Sequence, residues 1–258
     1  MGTLTLVRHG QASYGAAEYD RLSERGVEQA RALGRRWAEA RFTPDAIYTG
    51  PMRRQLDTAT HAVVAAADAG HPLPAPTVLD GLAEYPAFEL LGRFMPQFVR
   101  DYPELRALLD GTATPADRHA LMDRGFWLVI DAWTRDQLDC GDIETFGAFV
   151  ARVGAAMARM TSSHAGGGAR IAAVTSGGPI GVALKLALGL DAMATVNHWR
   201  LVRNASVTEL LWRSKQPGAL PSYSTGGAPA NASAFVGELS LLGFNHIDHL
   251  PAELHTFR

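Results

Sequence analysis

The sequence predicts an α/β fold, a three-layer α/β/α sandwich with a mostly parallel central sheet and a helical insertion. Three observations carry that prediction. The short runs at 3–7 and 171–174 are β-branched or apolar and hold no charge, as strands covered on both faces require. Stretches of helical period separate such runs, the alternation expected of a parallel sheet. Glycine turns follow two of the runs, at Arg8-His9-Gly10 and Ser176-Gly177-Gly178.

Residues 3–7 read as the first strand. Residues 23–40 read as a helix with Ser23 as N-cap and Glu24 in its first turn, because Val27, Ala30, Leu33, Trp37 and Ala38 share one face. Residues 45–48 form a second strand, ended by Gly50-Pro51, and 53–68 an alanine-rich helix. Prolines 72, 74 and 76 mark a loop before a short third strand at 77–79. Residues 86–142 differ in character. They hold amphipathic helical stretches at 94–109 and 115–138, with Phe98, Leu105, Phe126, Trp127, Ile130 and Trp133 as packing residues. The expected organisation is a single domain over 1–258 with a helical insertion, a cap, at 86–142. A helix at 145–160, a glycine loop at 166–168, a strand at 170–175, a helix through 188 with Pro179 at its first position, and strands at 206–212 and 235–242 complete the pattern. The Gly/Pro/Ser-rich stretch 217–233 reads as a loop.

Composition narrows the function. The 258 residues carry a net charge of −2, with 47% hydrophobic and 19% charged residues, the balance of a folded globular chain and not of a basic nucleic-acid surface or a disordered one. A single cysteine, Cys140, excludes an intramolecular disulfide and reads as a small buried apolar group. The apolar start is too short for a signal peptide, and no run of about 18 apolar residues is present. The expected setting is cytoplasmic, with no nucleic-acid or membrane partner, and a homodimer is compatible with the chain. The acceptor sequons at Asn204 and Asn231 are then incidental. His246 and His249, three apart, lack a third ligand of clear spacing and read as structural.

Ligands of open α/β sheets bind at the carboxyl ends of the strands. Ser176-Gly177-Gly178-Pro179, between a strand and a helix, offers backbone amides at a helix start, where anions are favoured. Arg8 and His9 end another strand. Arginine matches phosphate oxygens with a planar fork, and histidine can attack phosphorus and carry the phosphoryl group. These residues point to phosphate handling.

Val7-Arg8-His9-Gly10-Gln11 resembles the signature of the histidine phosphatase superfamily, the phosphoglycerate-mutase-like proteins. Further segments resemble it in the same order: Tyr48-Thr49-Gly50-Pro51-Met52-Arg53-Arg54-Gln55-Leu56-Asp57-Thr58-Ala59, Asp80-Gly81-Leu82-Ala83-Glu84, Glu144-Thr145-Phe146, residues 204–210 and residues 244–250. The resemblance implies His9 as nucleophile and Glu84 as general acid. It implies Arg8, Arg54, Ser176, Gly177 and neighbouring amides as holders of the phosphate oxygens. Arg53 is the rival of Arg54, and Glu89 of Glu84; Gln11 either lines the pocket mouth or caps a turn. The implied reaction is hydrolysis of a small phosphorylated substrate through a phosphohistidine. It calls for no metal and no cofactor, since arginines supply the positive charge.

The chain departs from the pattern twice. Ser176 stands where the resemblance calls for a second histidine, replacing a cationic donor by a neutral one. After Gly10 the chain runs Gln11-Ala12-Ser13, not the tryptophan–asparagine pair of the cofactor-dependent mutases. A phosphatase is therefore expected. A mutase-type phosphotransferase and a weakly active or inactive phospho-ligand binding protein are the alternatives.

Overall fold

The computed structural model describes residues 1–13, 20–164, 168–214 and 237–257. The chain divides into two compact units: Met1–Glu84 with Val150–Arg258, and Tyr85–Phe149. The first unit holds a six-stranded sheet in the order β3-β2-β4-β1-β5-β6, flanked by helices. Its strands are β1 (Gly2–Arg8), β2 (Ala46–Thr49), β3 (Thr77–Val78), β4 (Arg170–Thr175), β5 (Val207–Ser214) and β6 (Gly237–His246).

The first four strands are parallel to one another. β1 lies beside β4 with Arg8 opposite Thr175, and β2 beside β4 with Thr49 opposite Val174. β1 is buried along almost its whole length, which is why residues 3–7 are β-branched or apolar and hold no charge. Two helices cover one face of this region. Leu33 and Trp37 of α1 (Glu24–Glu39) and Ala59 and Ala62 of α2 (Arg53–Asp68) pack with Val7, Ile47, Ala172 and Val174 in one buried cluster. The alanines of α2 keep that layer thin. Ser23 caps α1 as expected, its Oγ accepting from the Gly26 amide at 3.1 Å.

β5 and β6 depart from the parallel pattern: β5 runs antiparallel to β1, and β6 antiparallel to β5. The cause is a helix that the periodicity does not reveal. One crossover helix returns a chain to the start of the next strand and makes it parallel. Here α7 (Gly177–Leu188) is followed by α8 (Ala192–Trp199), capped by Asp191 Oδ1 on the Ala194 amide at 2.7 Å. The second helix brings the chain back to the carboxyl end of β1, so β5 must run the other way. α7 begins at Gly177, which makes Pro179 its third residue, still within the turn whose amides have no intrahelical partner.

The second unit is helical: α3 (Ala87–Asp101), a 3₁₀ turn (Pro103–Leu105), α4 (Arg106–Leu109) and α5 (Pro115–Thr134). The stretch read as one helix at 94–109 starts earlier and breaks at Tyr102, whose φ of −126° and ψ of 83° reflect the exclusion of helical geometry before Pro103. α5 stops at Thr134, not 138. Tyr85, Trp133, Phe146 and Phe149 form its aromatic core, with Tyr85 and Trp133 stacked 5.4 Å apart. Cys140 is buried, and its thiol is pushed up by burial and by Asp136 and Asp139. α6 (Phe146–Ser162) leads back to β4. Residues 217–233, Asn231 included, and most of the 166–168 glycine stretch lie outside the described residues.

His246 and His249 occupy different surroundings. His246 is half exposed, 3.8 Å from Asp248. His249 sits between Ile247 and Leu250, which cluster with Ala32 and Ala205, and its Nε2 is buried with no partner among the described residues. Burial pushes its pKa down to about 4, against a helping hydrogen bond at the Ala205 backbone. The unfolded chain, with the ring titrating near 6.5, then binds more protons between those values, so stability falls as pH drops from 6.5 through 4. The gap amounts to about 3 kcal/mol at full protonation. Urea unfolding at pH 7 and pH 4 checks this: the protein loses on the order of 2–3 kcal/mol more than its His249→Gln variant. Equal losses in both would remove His249 as the cause.

Candidate active site

The pairing of β1 with β4 continues one residue past the strands. The His9 amide donates to Thr175 O at 2.8 Å, which places His9 opposite Ser176 at the carboxyl ends of two adjacent parallel strands. Parallel partners in register project to the same face of a sheet. Both residues are buried.

His9 is held at every polar atom. Its Nδ1 lies 2.7 Å from Gly10 O, and its Nε2 lies 3.1 Å from Arg54 Nε. Arginine can only donate, so Nε2 is the acceptor and carries the lone pair, while Nδ1 carries the proton and donates it to Gly10 O. Burial, then Arg54, then Arg8 hold the imidazole well below the usual histidine range, and the ring is neutral. The carbonyl of His9 accepts from the Ala205 amide at 3.2 Å and from Asn204 Nδ2 at 3.3 Å. The Gly10 amide donates to Thr58 Oγ1 at 3.0 Å. Gly10 has no room for a side chain, since a Cβ there would come within 2.5 Å of Gly26 O at the start of α1.

Arg54 is the second residue of α2 and is buried, whereas Arg53 points out toward Asp57; the structure favours Arg54 of the two. Besides His9, Arg54 contacts Asp20, its Nη1 donating to Asp20 Oδ1 at 2.5 Å. The other oxygen of Asp20 accepts from the Arg53 amide at 2.8 Å, so one carboxylate caps α2 and orients its arginine. Asp20 has no signal in the sequence.

Glu84 lies at the start of α7. The Gly178 amide donates to its Oε1 at 3.1 Å and sits 3.4 Å from Oε2. The anion site read from Ser176-Gly177-Gly178 thus holds a carboxylate of the same chain, and the helix start stabilises its negative charge. The turn carrying Glu84 is clamped from three sides. Leu82 O accepts from Gln55 Nε2 at 3.1 Å and Thr175 Oγ1 at 2.7 Å, and Arg152 Nη1 donates to Gly81 O and Ala83 O, each at 3.1 Å. Gln55 also donates to Ser176 Oγ at 2.8 Å. Glu89, the rival of Glu84, is exposed on α3 of the other unit.

Two predicted phosphate ligands make contacts within the scaffold. Arg8 Nη1 donates to Val202 O and to Phe257 O, so its guanidinium ties the carboxyl-terminal segment to the back of β1 while its charge acts on His9. Gln11 takes the turn-capping alternative: its amide oxygen accepts from Ser23 Oγ at 3.0 Å and its carbonyl from the Ser23 amide at 2.9 Å, which joins the His9 loop to the cap of α1. His198 bonds Ala194 O within its own helix. Sequence reading missed Asp20, Gln55, Thr58, Asn204 and Arg152. Gln55 and Thr58 did leave a signal: two polar residues, three apart, on the buried face of an alanine-rich helix.

The model of the histidine phosphatase superfamily (branch 1) matches residues 4–118 and 118–221. Among curated proteins, a 2,3-bisphosphoglycerate-dependent phosphoglycerate mutase of Leifsonia xyli is 38% identical over 69 residues, and its counterpart from Thermobifida fusca 39% over 70. Each match spans 24% of this chain and 28% of the relative, so the chain covers little more than a quarter of their length. Solved structures of similar fold include a mycobacterial hydrolase (20% identity, 98% of this chain and 94% of that one, TM-score 0.62). A mycobacterial glucosyl-3-phosphoglycerate phosphatase with inorganic phosphate is similar at 20% identity, 96% and 99% coverage and TM-score 0.58. A mutant phosphoserine phosphatase of Entamoeba histolytica with phosphoserine is similar at 16% identity, 97% and 100% coverage and TM-score 0.58. At these identities the likeness shows the fold.

The geometry predicts a neutral His9 carrying its proton on Nδ1 at pH 6.5 and below. Nitrogen-15 NMR of the histidine rings checks it; an imidazolium at position 9 at pH 6.5 contradicts the assignment. Replacing Arg54 by Met removes one of the opposing charges and moves the His9 titration upward.

Proposed function

The chain belongs to the histidine phosphatase superfamily, branch 1, and we propose that it is a phosphomonoesterase working through a phosphohistidine on His9. The observation that carries this reading is the buried, neutral His9 whose Nε2 lone pair faces Arg54. A neutral imidazole is the nucleophilic form, and its partner is the kind of cation that draws a phosphate dianion toward it.

The reaction follows from the residues. A phosphate group entering the site competes with His9 for the Arg54 donors, and its oxygens take up the guanidinium fork. Nε2 is released and attacks phosphorus in line; the P–N bond forms as the P–O bond to the alcohol breaks. Glu84, a carboxylate in the resting site, takes up a proton from solvent as the phosphate dianion enters beside it and gives that proton to the leaving oxygen. The resulting Glu84 carboxylate takes a proton from water, which attacks the phosphohistidine and breaks the P–N bond. Phosphate leaves, and His9 and Glu84 return to their starting forms. The Gly178 amide and the clamped 80–84 turn keep Glu84 in reach through both steps. Arg8 adds positive charge behind the nucleophile. Guanidinium groups carry the charge stabilisation, so the proposed reaction has no metal.

A mutase-type phosphotransferase is the second reading, favoured by the names of the two curated relatives. Phosphoryl exchange between phosphoglycerate isomers separates the two. Hydrolysis of an aryl phosphate, insensitive to chelator and lost in His9→Ala, supports the phosphatase. Labelled phosphate trapped on wild-type but not on His9→Ala protein supports the nucleophile, and equal trapping overturns it. Arg54→Ala lowers kcat/KM by about 10²–10³, the cost of one preorganised donor at developing charge. With the His9 pKa depressed, the acid limb that His9 imposes on kcat/KM lies below pH 6.5.

A further inference from the structure

We infer that Gln55 is a positioning residue that fixes the serine at 176 as a hydrogen-bond donor to the bound phosphoryl group. This rests on the phosphatase reading of the same site. The orientation of the Gln55 amide is set by two backbone groups of opposite kind. The Met52 amide donates to its Oε1 at 3.1 Å, and the Leu82 carbonyl accepts from its Nε2 at 3.1 Å. A flipped amide would face an N–H with an N–H and a carbonyl with an oxygen. The chain makes room for this arrangement at Gly50, where a Cβ would come within 2.1 Å of Gln55 Oε1.

With the amide so fixed, Nε2 is the atom that meets Ser176 Oγ, at 2.8 Å. Ser176 must therefore accept from Gln55. A serine hydroxyl has one proton, and that proton has to point away from the group donating to its oxygen. Among the described residues Ser176 Oγ makes no donating bond, and it is fully buried. His9, opposite it in register, offers no acceptor: Nδ1 is committed to Gly10 O and Nε2 to Arg54. A phosphoryl oxygen held over His9 is the acceptor the geometry leaves for that proton. The glutamine thus gives the hydroxyl the polarity that a protonated imidazole has by nature.

The experiment measures inhibition by inorganic phosphate and orthovanadate, together with aryl phosphate turnover, in wild-type protein, Gln55→Met, Gln55→Glu, Ser176→Ala and the two double variants. Ser176→Ala weakens phosphate binding by about 10-fold or more, the loss of one hydrogen bond to a charged group. Gln55→Met weakens it by several-fold in the serine background and less than about twofold in the alanine background, because it acts through the hydroxyl. Gln55→Glu turns the serine proton away from phosphate at high pH. As pH falls and the new carboxyl takes up a proton, it can donate to Ser176 again, and the loss shrinks. Additive effects of Gln55 and Ser176 changes, or a Gln55→Glu loss that is flat with pH, overturn the positioning role. Unchanged phosphate affinity in Ser176→Ala overturns it even where the Gln55 variants fail to fold. Wild-type protein that neither binds phosphate nor turns over aryl phosphate sinks the phosphatase reading and this inference with it. Wild-type binding with additive variants sinks this inference alone.

Discussion

The hydrogen bond from Arg54 Nε to His9 Nε2 is the constraint on which the rest of the site depends. It decides which ring nitrogen carries the lone pair, and with burial it keeps the ring neutral. It also requires two elements far apart in sequence to meet within 3.1 Å. The remaining contacts can be understood as holding those two ends in place. Thr58, Asn204 and Ala205 fix the backbone of the His9 loop. Asp20 holds the far side of the guanidinium and the start of its helix at once. An arginine and a histidine left to themselves in a buried site would be poorly oriented and costly to desolvate; here both ring nitrogens, and Nε and Nη1 of the arginine, have partners.

How much of this could be read from sequence depends on whether the residue's job is local. The ends of β1 to β5, the helix at 53–68 and the cap at Ser23 follow from periodicity and capping, and the structure places them within a residue or two, whereas β6 runs on to His246, four residues past the expected 242. His9, Arg54, Glu84 and Ser176 gather at the carboxyl ends of the central strands, where ligands of such sheets were expected. Arg8 and Gln11 show the limit. Their position in the motif places them beside the nucleophile, but not where their side chains go, because Arg8 finds Val202 and Phe257 some two hundred residues away. The antiparallel β5 was hidden for a related reason: α8 is eight residues long and its periodicity is brief. Asp20 and Arg152 were illegible because a charged residue in a loop or on a helix looks solvated until its partner is known.

Ser176 and Gln55 make a physical unit that neither residue suggests alone. The serine is fully buried with the glutamine amide 2.8 Å away, so the two fill one space. In the inferred arrangement the amide turns the serine proton toward the phosphoryl group. The same glutamine reaches Leu82 O, two residues from Glu84, which couples the serine's orientation to the turn that carries the carboxylate. A change at Gln55 then bears on phosphate binding through the serine and on proton transfer through the turn.

The carboxyl-terminal segment supplies the last step. Asn204, whose side chain supports the His9 carbonyl, accepts from Thr256 Oγ1 at 2.9 Å, and Gln29 of α1 bonds both Thr256 Oγ1 and Leu254 O. Arg8 grips the carbonyl of Phe257. The end of the chain is thus threaded behind the nucleophile, through buried hydrogen bonds that lose their partners together if the segment leaves. Arg8 serves both ends of this arrangement: its donors hold the strap, and its charge stays close enough to His9 to oppose protonation. In the proposed reaction Arg8 contributes through its charge, whereas Arg54 exchanges the ring for a phosphate oxygen. Arg8 Nη1 is anchored to backbone carbonyls, and Arg54 to a lone pair and a half-exposed carboxylate, partners with which a phosphate dianion would compete in the proposed reaction.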